Sequence, residues 1–110
     1  AHRQIKNMTI FIDVNNLIIL GKTDDCLKLN SIRQKLSGFD FDLYTVDGHN
    51  TNSIEAALDA QAQQPKIIIA NTVKGKGFSL MENKPEWHYM QPITPEQIEQ
   101  CRKEINDATA

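Results

Sequence analysis

Short apolar runs alternate with longer amphipathic stretches along this chain, and the pattern predicts strands separated by helices. Three runs are rich in apolar and β-branched residues and lead into polar, turn-forming residues, as buried strands do: Met8–Asp13, Phe41–Val46 and Lys66–Asn71. Apolar residues at helical spacing follow the first two runs and recur after Thr94. The order β-α-β-α-β-loop-α predicts an α/β fold whose parallel strands are joined by helical crossovers.

Capping signals set the predicted ends of the helices. Gly38 closes the first helix, which begins after Asp25. Asn52 and Glu55 have the spacing of a capping box at the start of the second helix, which Pro65 ends. The motif Thr94-Pro-Glu-Gln97 combines an N-cap, a proline at the first helical position and a capping-box glutamine. The apolar faces predicted for the three helices are Leu29, Ile32 and Leu36, then Ile54, Ala57, Leu58 and Ala62, and finally Ile98, Cys101 and Ile105.

Polar residues collect where each predicted strand ends. Asn15 and Asn16 interrupt an apolar stretch after the first strand, so the chain is expected to turn there. Asp47-Gly-His-Asn50 follows the second strand, and residues 73–88, with two glycines, two lysines and a histidine, follow the third. Because parallel strands end at one edge of a sheet, these clusters predict a ligand site at that edge.

The residue types at this edge suit a magnesium-diphosphate ligand. Aspartate and asparagine oxygens are ligands of hard cations, whereas lysine, histidine and glycine amides suit phosphate oxygens. The candidates are Asp13, Asn15, Asp24 and Asp25 for the cation, and Lys74, Gly75, Lys76, Gly77 and His88 for the phosphates. Taken alone, the same residues are compatible with a simple Asx turn at Asn15, solvated lysines and a structural histidine.

Composition and charge narrow the function classes. The 110 residues are one domain or a piece of one. A net charge of -2 offers no basic face, so no nucleic acid partner is expected. The apolar runs are far shorter than the roughly twenty residues that span a bilayer, so no membrane association is expected. Cys26 and Cys101 have no metal-like spacing, which predicts free thiols and a cytoplasmic protein.

Four motifs resemble, in order and spacing, the thiamine diphosphate-binding domain of transketolase. They are Asp13-Val-Asn-Asn-Leu17 with Gly21, Val46-Asp-Gly-His-Asn50, Asn71-Thr-Val-Lys-Gly-Lys-Gly77, and Trp87-His88 followed by Pro92. The resemblance implies a three-layer thiamine diphosphate-binding fold, a parallel sheet flanked by helices, of which residues 1–110 are the C-terminal portion. The Lys-Gly-Lys-Gly and Met-Glu-Asn elements look closest to transketolases whose two halves are separate polypeptides.

The resemblance also implies roles for five residues. Asn15 would bind Mg²⁺, or alternatively Ca²⁺, through its side-chain oxygen, and Leu17 would bind it through its backbone carbonyl. Lys74 would lie near the thiazolium ring, and Gly75 would let the loop approach the cofactor. His88 would contact the cofactor diphosphate and the substrate hydroxyls, which makes it the catalytic candidate.

The family's activity is transfer of a two-carbon ketol unit from a ketose phosphate to an aldose phosphate, with the chemistry carried by the cofactor. The family's Gly-Asp-Gly motif, its upstream substrate histidines and the glutamate that activates the aminopyrimidine have no counterpart in these residues. The resemblance therefore implies a partner, a pyrimidine-binding transketolase domain or subunit in a homo- or hetero-oligomer. It also implies an incomplete sheet with an exposed apolar edge. His49 matches a family motif, and a structural role is expected for it first.

Two alternatives stay open from the sequence. One is a deoxyxylulose-phosphate synthase-like enzyme, which shares a similar lysine-glycine loop but decarboxylates pyruvate. The other is a non-catalytic remnant that acts as an interaction module, as the missing Gly-Asp-Gly half of the cofactor signature would allow. Asn15, Leu17, Lys74 and His88 are all present, which favours an enzyme.

Overall fold

The structure, a computed structural model, describes residues 5–89 and 91–109. The predicted domain span of residues 1–110 includes residues 1–4, 90 and 110, which lie outside the described residues. The chain divides into two compact units: the first comprises the described residues of Ala1–Asn15 and Leu29–Thr72, and the second those of Asn16–Lys28 and Val73–Ala110. In chain order the elements are β1 (Thr9–Val14), β2 (Leu17–Ile18), β3 (Gly21–Lys22), α1 (Thr23–Cys26), α2 (Ile32–Leu36), β4 (Asp42–Asp47), α3 (Thr51–Asp59), β5 (Lys66–Asn71), a 3-10 turn (Pro85–His88) and α4 (Pro95–Thr109).

The first unit is built on a parallel three-stranded sheet in the order β1-β5-β4. The strand β5 takes the centre because its sequence, Lys-Ile-Ile-Ile-Ala-Asn, is apolar on both faces, and its first five residues are buried. All three predicted strands are present within one residue of their predicted bounds. The predicted α/β fold with a parallel sheet and helices is therefore confirmed.

The core of this unit lies between the sheet and α3. Strand residues two apart point to the same face, so Val46 of β4 and the pair Ile68 and Ala70 of β5 meet Ala57 of α3. Ile54, one helical turn before Ala57, packs against the same cluster. Ile68 is fully buried, at 0% exposure, which makes it the centre of the core.

The helix α3 begins and ends earlier than predicted. Its N-cap is Asn50, whose side chain accepts the Ser53 N–H at 3.1 Å, so the predicted capping box at Asn52 is wrong. It ends at Asp59, because Ala60 has extended ψ, and Ala62 lies beyond it. Leu58, predicted to be buried, is 45% exposed. Asn50 is the N-cap because it directly follows the Asp-Gly-His turn, and that turn determines where the helix can start.

A buried lysine completes the end of α3. The Lys66 side chain is 7% exposed, and its Nζ lies 2.9 Å from the carbonyl oxygens of both Ala57 and Ala60 and also donates to Leu58. These carbonyls are among the groups that a helix leaves unpaired at its C-terminus. The three ammonium protons therefore satisfy three of them, and the sequence pattern contained no sign of it.

The helix predicted between Asp25 and Gly38 is interrupted. Asn30, at φ 53°, separates the short α1 from α2, and Ser31 caps α2 by accepting the Gln34 N–H. The helix α2 ends at Leu36, so Leu29 is not part of it. Left-handed backbone is tolerated by asparagine better than by most residues, which explains the break at this position.

The strand β1 forms an edge of the described sheet and exposes apolar surface. Alternate residues of β1 are half-buried and exposed, and Phe11 is 50% exposed. The expected exposed apolar edge is therefore present in the described residues.

The second unit contains the β2-β3 hairpin, α1, the 3-10 turn and α4. The Thr94 N–H donates to Gln97 Oε1 at 2.9 Å and the Gln97 N–H donates to Thr94 Oγ1 at 3.3 Å, so the predicted capping box is confirmed. Ile98 and Ile105, on the predicted apolar face of α4, are 42% and 49% exposed. Both cysteines are free thiols, as predicted. Among the described residues, no helix has the length and apolarity of a membrane span.

Candidate functional site

The carboxyl ends of the three parallel strands lie level. Val14 of β1 and Asp47 of β4 both pair with Asn71 of β5. The ladder continues one residue further, because the Thr72 N–H donates to Val14 O at 3.1 Å and the Gly48 N–H donates to Asn71 O at 2.7 Å. The segments that follow β1, β4 and β5 therefore start side by side, as the predicted convergence of the strand ends requires.

Side-chain hydrogen bonds hold the ends of these strands and the turn after β4. The Thr72 hydroxyl donates a short hydrogen bond to Asp13 Oδ1, which joins the ends of β5 and β1. Asp47 Oδ1 accepts the His49 N–H at 2.9 Å, which holds the turn after β4. The Asp13 carboxylate, one of the cation candidates, is thus engaged within the sheet edge.

Gly48 is required for this close approach. A Cβ at this position would lie 2.5 Å from Thr72 Cγ2 and 3.0 Å from Asn71 O. A side chain of any size would therefore push the turn away from the end of β5. The Asp-Gly-His motif marked the turn in the sequence, but its partner across the sheet, Thr72, could not be read from the local pattern.

Asn15 and Leu17, the predicted metal ligands, flank a turn at Asn16, which has φ 57°. Asn15 is half-buried and belongs to the first unit, whereas Leu17 opens β2 of the second unit and pairs with Lys22. The predicted turn after the first strand is therefore confirmed. A single residue separates the two predicted ligands along the chain, and their joint role toward a metal stays a prediction.

The two predicted metal ligands, the Asn15 side chain and the Leu17 carbonyl, are both neutral oxygen donors. In the described parts of the chain, no group of three or more histidine, cysteine, aspartate or glutamate side chains is placed to hold a metal ion. Asp24 and Asp25 lie in the first turn of α1 and are exposed. An amide oxygen and a backbone carbonyl are oxygen donors that hard cations accept, and such a cation would need its negative ligands from elsewhere.

The residues Val73–His88 of the second unit, here called the glycine-lysine loop, are ordered by tight turns. Backbone N–H groups donate three residues back, from Lys76 to Val73 at 3.2 Å and from Phe78 to Gly75 at 3.1 Å. The Asn83 N–H donates to Lys74 O at 2.9 Å and closes the loop on itself. The backbone that carries Lys74 and Gly75 is therefore internally braced.

Gly75 is needed inside this loop. It has φ 71°, and a Cβ there would lie 2.6 Å from Met81 O and 2.7 Å from Met81 C. By contrast, Gly77, at φ 97°, has nothing within 4 Å of such a Cβ. The close approach that Gly75 makes is thus to the backbone of Met81, whereas its predicted approach to a cofactor stays a prediction.

The two lysines of the loop differ in their surroundings. Lys76 Nζ lies 3.8 Å from Glu82 Oε1, which also accepts the Gly77 N–H at 3.0 Å. The Lys76 side chain is 54% exposed, so this ion pair is weak. Lys74 is half-buried.

His88 ends the 3-10 turn and is exposed. Its ring meets the Tyr89 ring edge to face, with centroids 5.1 Å apart. Trp87 is half-buried, and Gln91 Nε2 donates to Glu86 O at 2.9 Å across the turn. An exposed imidazole on a short braced turn is available to a ligand, which is what the predicted role of His88 requires.

Contacts between the loop and α4 were missed from the sequence. The Ser79 N–H and hydroxyl both donate to the Glu104 carboxylate, and Gln100 Nε2 donates to Ser79 Oγ at 2.9 Å. Hydrogen bonds from the Ser79 and Gln100 side chains, together with the Ser79 N–H, lower the pKa of Glu104 from its ordinary value. The only sequence signal was the helical spacing of Gln100 and Glu104, which places them on one face of α4.

These features define an α/β protein whose parallel strands end level with one another at the carboxyl edge of the sheet, the edge at which such sheets bind ligands. Residues 1–107 match the family described as "Transketolase, thiamine diphosphate binding domain". The chain therefore belongs to the transketolase family and contains part of its thiamine diphosphate-binding domain. The family predicted from the four motifs is confirmed.

Relatives agree with this family. The chain is 32% identical over 107 residues to one subunit of the apulose-4-phosphate transketolase of Phocaeicola vulgatus, covering 94% of this chain and 38% of the relative. It is 35% identical over 91 residues to the 6-deoxy-6-sulfo-D-fructose transketolase subunit SqwG of a Clostridium species, covering 80% and 33%. The chain thus spans well under half the length of these curated relatives.

A solved structure has the same fold. The crystal structure of transketolase from Campylobacter jejuni superposes with a TM-score of 0.84 at 22% identity, covering 96% of this chain and 17% of that one. This likeness supports the α/β architecture of the whole described chain.

Proposed function

We propose that this chain is the part of a transketolase-like transferase that binds the magnesium-diphosphate end of thiamine diphosphate. The observation that carries the proposal is the level carboxyl edge of β1, β5 and β4, where Val14, Asn71 and Asp47 lie in register. The match to a thiamine diphosphate-binding domain indicates which cofactor this is. When bound, thiamine diphosphate supplies the nucleophilic carbon for transfer of a two-carbon ketol unit between sugar phosphates.

The proposed metal ligands are the Asn15 side-chain oxygen and the Leu17 backbone carbonyl. Both are neutral, which fits a Mg²⁺ ion whose charge is balanced by diphosphate oxygens and by one carboxylate from outside these residues. Mg²⁺ prefers six oxygen ligands, and Ca²⁺ would accept the same donors with a looser geometry. The turn at Asn16 separates the two ligands by one residue.

Three residues of the glycine-lysine loop, Lys74, Gly75 and His88, are proposed to contact the rest of the cofactor and the substrate. Lys74 would place its positive charge beside the bound cofactor. Gly75, which has no side chain, would let the loop backbone come close to the cofactor. His88 would donate hydrogen bonds to diphosphate oxygens and to substrate hydroxyls, because its ring is exposed at the end of the 3-10 turn. These groups bind and orient the reactants.

The complete enzyme is proposed to be an oligomer with a pyrimidine-binding transketolase domain or subunit, and to act on sugar phosphates in the cytoplasm. Two relatives are named as subunits, which supports a hetero-oligomer in particular. Their names specify different sugars, so family membership alone selects no single donor.

The test is Asn15→Ala in the complete enzyme that contains this chain, with Mg²⁺ and thiamine diphosphate binding measured by titration calorimetry. We expect both affinities to fall together, by about 10- to 100-fold, because a ligand oxygen to a cation is lost. Asn52→Ala, on an exposed position of α3, is the matched control and should change neither. Unchanged cofactor affinity in Asn15→Ala would contradict the proposed metal site.

A further inference from the structure

The tip of the glycine-lysine loop is tied to α4 by a small hydrogen-bond network. The Ser79 N–H lies 2.9 Å from Glu104 Oε2, and the Ser79 hydroxyl donates to Glu104 Oε1. Gln100 Nε2 lies 2.9 Å from Ser79 Oγ and 3.0 Å from Glu104 Oε1. One carboxylate therefore accepts three hydrogen bonds, two of them from the same loop residue.

This tie differs in kind from the other restraints on the loop. The Asn83 N–H to Lys74 O bond and the Gly77 N–H to Glu82 bond both join loop residues to each other. Ser79 is instead joined to a helix of 15 residues, which is a stiffer support than a turn. Hydrogen bonds to a carboxylate are also stronger than those between neutral groups.

We propose that Glu104, oriented by Gln100, is a positioning residue that holds the glycine-lysine loop in the shape in which Lys74 and Gly75 bind the cofactor. A loop ordered before binding loses less conformational entropy when the ligand arrives, so the tie raises cofactor affinity without touching the cofactor. The hydrogen bonds from Ser79 and Gln100 favour the ionised carboxylate and so lower the pKa of Glu104. This inference rests on the proposed cofactor site.

The test compares Glu104→Gln with Glu99→Gln in the complete enzyme. Glu99 is on the same helix and forms a 2.6 Å ion pair with Arg102 at the surface, so it matches the charge change without contacting the loop. Two quantities are measured: amide hydrogen exchange of residues 75–84 without cofactor, and the Kd of thiamine diphosphate with Mg²⁺. Ser79→Ala, which removes the loop hydroxyl from the other side, is the second variant.

In Glu104→Gln, we expect exchange of the loop amides to accelerate and the Kd to rise, each by roughly three- to tenfold, with Glu99→Gln like the wild type. Ser79→Ala should have a smaller effect. The effects of Glu104→Gln and Ser79→Ala should be less than additive in the double variant, because both substitutions weaken the same interaction.

Three results would overturn the inference. Unchanged loop exchange in both Glu104→Gln and Ser79→Ala would show that the network does not order the loop. Faster exchange with an unchanged Kd would show that the loop is tied but does not position the cofactor, and would leave the proposed function intact. A wild-type enzyme that fails to bind thiamine diphosphate would instead overturn the proposed function, and this inference with it.

Discussion

The sheet edge of the first unit and the glycine-lysine loop of the second are ordered by different forces. Around Ile68, which has 0% exposure, the sheet is held by apolar burial and by a continuous backbone ladder. The loop has little buried apolar surface, and its shape depends on turns, on Gly75 and on the carboxylates of Glu82 and Glu104. The sheet and the loop are therefore stabilised by separate sets of residues.

This difference decides how each region should respond to substitution. A change in the sheet core should lower the free energy of unfolding of the unit as a whole, because its contacts form cooperatively. A change in the loop should alter local exchange and ligand affinity while leaving global stability nearly intact. The following substitutions test whether the two regions separate in this way.

Ile68→Ala should have the largest effect on stability. The side chain is fully buried in the core with Val46, Ala57 and Ala70, so truncation leaves a cavity and should cost about 2–5 kcal/mol of unfolding free energy. Urea denaturation of the enzyme containing this chain measures the loss. Leu20→Ala, at 85% exposure, is the matched control and should cost no more than about 0.5 kcal/mol. Equal costs at the two positions would contradict the assignment of Ile68 to the core.

Lys66→Met should have the next largest effect on stability. Methionine is an unbranched side chain one heavy atom shorter than lysine, and it leaves the carbonyls of Ala57, Leu58 and Ala60 without their donor, for a loss of about 1–3 kcal/mol. Urea denaturation and amide exchange at the end of α3 measure it. The exposed Lys35→Met should be nearly neutral. If Lys66→Met were as stable as the wild type, the ammonium would contribute nothing net to the helix end.

The first unit was largely predictable because its signals are local and redundant. Three β-branched runs with turn residues at their ends specify β1, β4 and β5, and the helical crossovers then require them to be parallel. The start of α3 was misplaced because Asn50 and Asn52 are both acceptable caps by type. The turn at Gly48, which is fixed by contact with Thr72, decides between them, and such a contact is not local in sequence.

The loop was predictable in composition but not in geometry. Its glycines marked an irregular segment after β5, yet one of the side chains that shape it, Glu104, lies far along the chain in α4. Ser79 and Glu104 are 25 residues apart, and no periodic pattern connects a loop serine with a helix glutamate. The roles of Asn15, Leu17, Lys74, Gly75 and His88 toward a cofactor depend on a ligand and stay predictions.

Gly75→Ala is the most direct test of whether the loop can be altered without destabilising the sheet. The new methyl group would lie 2.6 Å from Met81 O at a positive φ, so the loop must open or shift. We expect the Kd for thiamine diphosphate to rise about tenfold or more, while the urea midpoint of the enzyme changes little, because few buried contacts are lost.

The matched control for this prediction is Gly77→Ala, two residues away in the same loop. Gly77 also has a positive φ, 97°, but no atom lies within 4 Å of where the new methyl group would be. The comparison therefore distinguishes backbone strain from steric overlap. Gly77→Ala should therefore raise the Kd only about two- to fivefold, as expected for roughly 1 kcal/mol of strain. Equal losses in both variants would mean that positive φ alone, and not the contact with Met81, makes glycine necessary at position 75. The loop would then be shaped by its own backbone, and its two glycines would be interchangeable in their effect on cofactor binding.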